Sequence, residues 1–377
     1  MPEGRIARPV ATVALLATFA FGASGEARAP SFSPPAPIAS DADRLFISGH
    51  SLTDRPLPDM LEAMANGAGR ELSWQRQHIG GSSIRQRSAG IGEQTLGSGF
   101  AAGTDRDGNP IDVLAEFDAT AAAGPYDVLI ITEWHRALDA MWREGTAAHL
   151  RAFQDRFIGS NPAGLTYFFA PWADLSDLAD PSDWVGYERR ASPIWQCMVD
   201  TVNSGLAAGG RDDRVHFIPA SLALAELVAR LTSGEAVAGF ENFDSGEAIA
   251  QLFTDRVHLT EVGTYFVAAV TYATVFGDDA AASPLPASLD ARQAESLRLL
   301  ATSFVDQWRE QQRLATNADC EGVPLDFIVA YTGYMEKTYA RPEVGYVRAR
   351  ARRVRDIGRF VWTLWSASPT AAPAIVD

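Results

Sequence analysis

The sequence predicts an α/β protein, a three-layer α/β/α sandwich around a parallel sheet, followed by a helical C-terminal extension. Two observations carry this expectation. Between Arg44 and Gly277, short apolar, β-rich runs alternate with stretches of helical period, and a strand apolar on both sides needs cover on both faces. After Gly277 no such run recurs, and two long amphipathic helical patterns take over.

The first strand reads Leu45-Phe46-Ile47 and stops at Ser48-Gly49; the helix after it carries Leu57, Met60, Leu61 and Met64 on one face. Leu72-Ser73-Trp74 leads to Gly80-Gly81. Ala89 to Gly124 reads as a long loop with one helix around Ile111–Phe117. Three further strands are Val128–Ile131, Leu165–Phe169 and Val215–Pro219. Helical patterns run from Thr146, read as an N-cap, to Phe157, from Pro193 to Ala207, from Ser221 to Leu231 and from Glu261 to Phe276. Ala280 to Ala287 reads as a linker, and helices follow over Ser288–Arg313 and Pro342–Trp365. On the last helix Val347, Ala351, Val354, Ile357, Val361 and Leu364 form an apolar stripe. Arg348, Arg350, Arg352, Arg353, Arg355 and Arg359 lie opposite, the only basic cluster in the chain. The stripe is expected to dock inward, leaving the arginines solvated or facing an anionic glycan or membrane surface.

The first residues read as an address. Arg5 and Arg8 precede an apolar run from Val10 to Gly22, and Ala27-Arg28-Ala29 is a small-x-small cleavage pattern. The run falls short of the roughly 20 residues that cross a bilayer. The expected organisation is a signal peptide over 1–29, a Pro-rich leader over 30–43, the sandwich over 44–277 and the extension over 278–377, in a secreted or periplasmic protein. In that oxidising space Cys197 and Cys320 can pair, or stand as two buried thiols.

Composition narrows the partners. With 32 Lys+Arg against 47 Asp+Glu the net charge is −15, which excludes a nucleic-acid binder that works through a basic face. Two cysteines exclude a zinc site built on four of them, and Glu133-x-His135, His78, His149 and His216 lack ligand spacing, so no metal is expected. Gly90-x-Gly92 and Gly97 complete no dinucleotide fingerprint, so no cofactor is expected either. Trp134, Trp142, Trp172 and Trp184 lie near strand ends, where a ring packs the core or stacks on a sugar.

Two short segments carry chemistry. Ser51 follows the first strand and a glycine and precedes a helix, at the lip of a parallel sheet where free N–H groups gather. Thr53 stands where a Gly-x-Ser-x-Gly elbow needs its second glycine, and by itself Ser51 reads sooner as a helix cap than as a nucleophile. Asp255 and His258, three residues apart before a helix, can share one side of a turn. The carboxylate then fixes one imidazole nitrogen and leaves the other to act as base on a hydroxyl.

Gly49-His50-Ser51-Leu52 and Asp255-Arg256-Val257-His258 together resemble the first and last blocks of the SGNH (GDSL-like) hydrolase superfamily, and Ile79-Gly80-Gly81-Ser82-Ser83 resembles its second. The resemblance covers Arg44 to Gly277. It implies a flavodoxin-like fold with five parallel strands, a Ser51–His258–Asp255 triad, and an oxyanion hole from the N–H groups of Ser51 and Gly81. Two departures stand out: His50 replaces the family's Asp, and Thr132-Glu133-Trp134-His135-Arg136 replaces the Gly-x-Asn-Asp block whose Asn is an oxyanion donor. His50, Glu133, Trp134 and His135 are therefore candidates for contact with substrate or oxyanion. The expected activity is a serine esterase acting on carboxylic, by analogy acetyl, esters of a carbohydrate. The alternatives are an O-acetyltransferase using the same acyl-enzyme and a catalytically silent glycan-binding or assembly protein.

Overall fold

Five strands, β1 (Arg44–Gly49), β2 (Ser73–His78), β3 (Val128–Thr132), β4 (Leu165–Phe169) and β5 (Val215–Ile218), form one parallel sheet in the order β2-β1-β3-β4-β5. The computed structural model describes residues 39, 42–89, 99–118, 124–277, 285–286, 288–314 and 323–366. The expected signal peptide and most of the leader lie outside these residues. No helix among them is long and apolar enough to cross a membrane.

β1, β3, β4 and β5 match the apolar runs, and every residue of β3 and β5 is buried. β2 differs. Its sequence, Ser-Trp-Gln-Arg-Gln-His, is mostly polar; it lies at one edge of the sheet, bonded on one side only, where polar side chains are tolerated, while β5 at the other edge is covered. Its buried Gln77 is satisfied by donating to the carbonyls of Arg87, Gly99 and Ala102, which anchors the loop after Ser88 to the sheet.

The crossover helices cover both faces. In chain order they are α1 (Leu57–Gly67), α2 (Ile84–Ser88), α3 (Val113–Asp118), α4 (Thr146–Ser160), α5 (Ser182–Ala208), α6 (Ala220–Ser233), α7 (Ser245–Leu252) and α8 (Glu261–Phe276). α1 packs on α8, and α4 packs on α5, giving the two helical layers of the sandwich. α5 begins eleven residues before the expected Pro193 and carries that proline inside it. Cys197 on α5 is disulfide-bonded; Cys320, the other cysteine of the sequence, lies outside the described residues. Because β2 and β3 flank β1 on opposite sides, the chain reverses its winding at the carboxyl ends of β1 and β3, where such sheets open a crevice.

The extension contributes α9 (Ala291–Leu314), packed along α8, and then α10 (Leu325–Met335), a π-helical segment Glu336–Ala340, α11 (Arg341–Val344) and α12 (Tyr346–Ser366). Gly345, at φ 77°, breaks the expected single helix into α11 and α12.

The orientation of α12 is a correction. Most of its expected docking stripe faces solvent: Val347 is 79% exposed, Val354 64% and Val361 38%, continued by Trp362 and Trp365, while Ile357 is half-buried and Leu364 alone packs against the core. The helix docks through Ala349, Phe360 and its arginines. Glu336, buried, pairs with Arg341, Arg350 and Arg353, and buried Asp139 pairs with Arg143 and Arg359. Carboxylates held out of water need cationic partners, and that need overrides the apolar stripe. Of the six arginines only Arg348 pairs with no acid among the described residues.

Val354→Glu should therefore leave stability within about 0.5 kcal/mol of wild type. Phe360→Ala, removing a ring packed edge-on against Tyr331 at 5.7 Å, should cost about 3 to 5 kcal/mol. Urea unfolding of the two variants checks the orientation; the reverse ranking would mean that the stripe docks.

Candidate active site

The site is built where the loops after β1, β2 and β3 meet. Gly49 ends β1 with no room for a side chain, since a Cβ there would lie 1.9 Å from Thr53 Oγ1 and 3.2 Å from Thr132 Cγ2. The chain then turns through His50 into a 3-10 turn, Ser51–Thr53, which leaves Ser51 exposed. His50 is buried. Its Nδ1 accepts from Leu52 N at 3.4 Å, so its proton sits on Nε2 and is donated to the Glu133 carbonyl at 2.9 Å. Burial first, and the charge of Arg87 second, lower this imidazole to about 3, so it is neutral. His50 thus braces and caps the turn as a short acceptor would, and its expected contact with substrate is corrected.

The loop after β2 is tied to β1 by the Ile79 N–H, which donates to the Gly49 carbonyl at 3.1 Å. Gly81 takes φ 64°, a left-handed conformation costly for other residues. Neither the Gly81 nor the Ser51 N–H donates a hydrogen bond to another described residue. Both are available to an oxygen bound between these loops.

The last block arrives ahead of α8. Asp255 Oδ1 accepts from the N–H of Val257 and of His258, both at 2.8 Å, folding the turn around its carboxylate. Oδ2 lies 2.7 Å from His258 Nδ1, and His258 Nε2 lies 3.1 Å from Ser51 Oγ. A carboxylate only accepts, so Nδ1 carries the proton and Nε2 is free to accept from the serine hydroxyl. Partial burial pushes the Asp255 carboxyl up, but the His258 N–H, the imidazole and the Val257 N–H outweigh it and hold it below the usual range. The imidazole and the carboxylate are about half exposed and open to solvent. The turn is held from the β4 side: Leu175 N donates to the Arg256 carbonyl and Arg256 Nε to the Leu175 carbonyl, both at 2.6 Å. Trp172 Nε1 donates to the Val257 carbonyl at 2.8 Å, so this tryptophan is a brace.

After β3 the structure departs from the expected roles. Glu133 is fully buried, and its carboxylate accepts from Ile84 N at 3.0 Å, Trp134 N at 2.6 Å and Thr146 Oγ1 at 2.6 Å. It cannot touch substrate, which corrects that candidacy. Thr146, expected as an N-cap, spends its hydroxyl on Glu133 instead, and Gly145 takes the cap position. His135 Nε2 faces Asp174 Oδ1 at 3.5 Å. Burial chiefly, opposed by Asp174 and aided by Arg136 and His258, lowers this imidazole to about 4. It is neutral, with a single ring N–H. Trp134 keeps an indole N–H with no acceptor among the described residues, a side-chain donor of the block that is not spent within it.

Three groups at the site carry no motif. Arg87, buried, donates to Ser48 Oγ, to Ser82 O and Oγ, and to the Thr132 carbonyl. Tyr339, from the π-helical segment, donates to Asp174 Oδ1 at 2.9 Å and accepts from Asp174 N at 3.0 Å. The Arg136 guanidinium lies over the Trp134 and Tyr339 rings, at 4.8 and 4.3 Å from their centroids. The signal for Arg87 was an arginine in a short helix beside the second block; for Tyr339 the sequence offered none.

No family model and no curated protein matches the chain. Among solved structures it is similar to a DUF4886 family protein from Bacteroides uniformis, at 14% identity and a TM-score of 0.47, over 71% of this chain and 96% of that one. It is also similar to a gut microbial diltiazem-metabolizing enzyme, at 12% identity and a TM-score of 0.35, over 66% of this chain and 49% of that one. The chain spans about half the length of the latter. Chemistry at Ser51 has to be read from its own geometry.

The neutral, buried His50 sets a pH dependence. Its folded value of about 3 lies below the unfolded 6.5, so its contribution to stability is present above pH 6.5 and is lost as the pH falls toward 3. His50→Asn keeps an acceptor and a donor but does not titrate. Between pH 7 and 4.5 wild type should lose about 2 to 3 kcal/mol more than this variant, read by urea unfolding at both pH values; equal losses would mean that His50 titrates normally in the fold.

Proposed function

We propose that the chain is a secreted or periplasmic serine hydrolase of SGNH type that cleaves carboxylic esters, acetyl esters of a carbohydrate being the favoured class. One observation carries this reading: Ser51 Oγ, His258 Nε2, His258 Nδ1 and Asp255 Oδ2 form a continuous line at 3.1 and 2.7 Å, open to solvent at the carboxyl edge of the sheet.

In the first step Ser51 Oγ attacks the ester carbonyl carbon while its proton passes to His258 Nε2. Asp255 keeps Nδ1 protonated and steadies the imidazolium. The carbonyl oxygen becomes an oxyanion, which the N–H groups of Ser51 and Gly81 are placed to receive, with the Trp134 indole N–H as a third donor in place of the amide. Loss of one such donor costs roughly 10²- to 10³-fold, so the substitution is consistent with a working hole. The intermediate collapses as His258 returns the proton to the leaving alcohol, and water, activated by His258, releases the acid. A sugar hydroxyl in place of that water would make the same acyl-enzyme an acyltransferase intermediate. The intact Ser–His–Asp line disfavours a catalytically silent role.

With p-nitrophenyl acetate the purified protein should turn over, and a fluorophosphonate should label Ser51 as located by mass. Ser51→Ala should lose the label and about 10³-fold or more of kcat, and Asp255→Asn about 10⁴-fold. An unlabelled Ser51, or a Ser51→Ala variant as fast as wild type, would overturn the assignment. Turnover that rises on adding a sugar acceptor would move it to transfer.

A further inference from the structure

A cavity of about 230 Å³ lies beside the third block, walled by the helices of the extension. Six arginines line it: Arg136, Arg143, Arg352, Arg353, Arg355 and Arg359. Five of them meet carboxylates of the cavity wall. Arg143 and Arg359 pair with Asp139, Arg353 with Glu336, Arg352 with Glu343 and Arg355 with Asp356. Arg136 does not. Among the described residues its guanidinium makes no hydrogen bond and no ion pair, and its Nε is buried without an acceptor.

Two aromatic rings hold that guanidinium, Trp134 at 4.8 Å and Tyr339 at 4.3 Å from its carbon. Contact with a ring face uses none of the N–H donors, which remain able to bind. Arg136 is half-buried, a buried Nε–H without an acceptor is costly, and this guanidinium stands among five further arginines. A planar or tetrahedral oxyanion satisfies these donors with paired N–H···O bonds. The space suits one as well, because a water takes about 30 Å³ of liquid volume and a carboxylate or phosphate group a small multiple of that. Arg136 also belongs to the catalytic neighbourhood: it follows His135, and its Tyr339 partner holds Asp174, whose neighbour Leu175 is bonded to Arg256 of the triad turn.

We propose that this cavity receives an oxyanion carried by the ester substrate, the carboxylate or phosphate of an acidic glycan, with Arg136 as the specificity residue that grips it. The assignment rests on the hydrolase reading and narrows its substrate from carbohydrate esters at large to anionic ones. It also turns the expected basic surface of the last helix around, since the arginines that serve a glycan are those on its inner face.

The test compares acetylated oligogalacturonides, which carry a carboxylate on each sugar, with acetylated xylo-oligosaccharides, which are neutral. Wild type should favour the acidic ester by about tenfold or more in kcat/KM, through KM, with the preference shrinking as salt is raised. Arg136→Gln should abolish the preference, and Arg136→Lys, which keeps charge without the fork, should restore part of it; thermal unfolding shows that each variant is folded. Equal rates for the two esters in wild type, or an equal loss on both in Arg136→Gln, would overturn the proposal. Calorimetry on wild type with galacturonic acid and with inorganic phosphate reads the cavity without any ester cleavage. Saturable binding of galacturonic acid that Arg136→Gln removes supports the site even if p-nitrophenyl acetate is not hydrolysed, which would be the failure of the hydrolase reading alone. Binding of neither probe, or binding of phosphate with no preference between the esters, would sink the substrate assignment while leaving p-nitrophenyl acetate turnover, and with it the hydrolase reading, untouched.

Discussion

The geometry at Ser51 depends on two charges buried behind it, the Arg87 guanidinium and the Glu133 carboxylate. Arg87 is fully buried, and burial lowers its guanidinium to about 10, so it stays cationic at neutral pH. Burial likewise pushes Glu133 up, against the pull of the Thr146 hydroxyl, of Arg87 and of the N–H groups of Trp134 and Ile84. All three groups bonded to Glu133 are donors, the arrangement an ionised, accept-only carboxylate requires. Taking two charges out of water costs several kcal/mol each, and a buried pair is weak support for stability as such. Its effect here is positional. Arg87 reaches the ends of β1 and β3 and the loop after β2 at once, while Glu133 joins α2, the third block and α4. Three loops that would otherwise move separately share one set of acceptors, and Ser51 and Gly81 stand on two of them.

Legibility in the sequence followed the range of the interactions involved. The strand runs were visible wherever both faces of the strand were to be buried, as in Val128-Leu129-Ile130-Ile131. β2 was half hidden because an edge strand can carry Gln75, Arg76 and Gln77 if each finds a partner, and their tertiary partners lie 10 to 31 residues away. Ser51, Asp255 and His258 were legible because the constraints that place them are local: a tight turn after a strand, and a carboxylate folding its own next three residues around itself. Glu133 and His50 were misplaced for the opposite reason. Their positions in the text adjoin the chemistry, but whether a side chain at a strand end turns out to substrate or in toward the sheet depends on what waits inside. Here Thr146, Ile84 N and the Glu133 carbonyl wait there.

The misreading of α12 has the same origin. A hydrophobic period reports that a helix has two unlike faces, and burial is normally assigned to the apolar one. The assignment fails where the surface to be covered is charged. Glu336 and Asp139 are both buried and both sit on the ground that α12 covers. An apolar face laid over them would leave Glu336 with Arg341 alone and Asp139 with Arg143 and Tyr331 alone, and would take from these buried carboxylates the partners that α12 supplies, Arg350, Arg353 and Arg359. Arginines dock, valines and tryptophans stay outside, and the extension acquires an inner surface dense in guanidinium groups.

That inner surface reaches the site through a single irregularity. The π-helical segment Glu336–Ala340 carries Glu336 inward to the arginines and Tyr339 to Asp174; such segments recur at functional positions because the wider turn redirects side chains that a regular helix could not aim together. From Asp174 the contact continues to Leu175, Arg256 and the Asp255 turn, with Arg256 also donating to the Thr338 carbonyl at 3.4 Å. The extension therefore does not hang from the sandwich as a separate decoration. It walls the arginine-lined cavity, lays Tyr339 against Arg136, and contacts the turn that holds Asp255 through Asp174 and Arg256. Ser51, His258 and Asp255 all come from the sandwich, whereas the arginine-lined cavity is walled largely by helices that follow it.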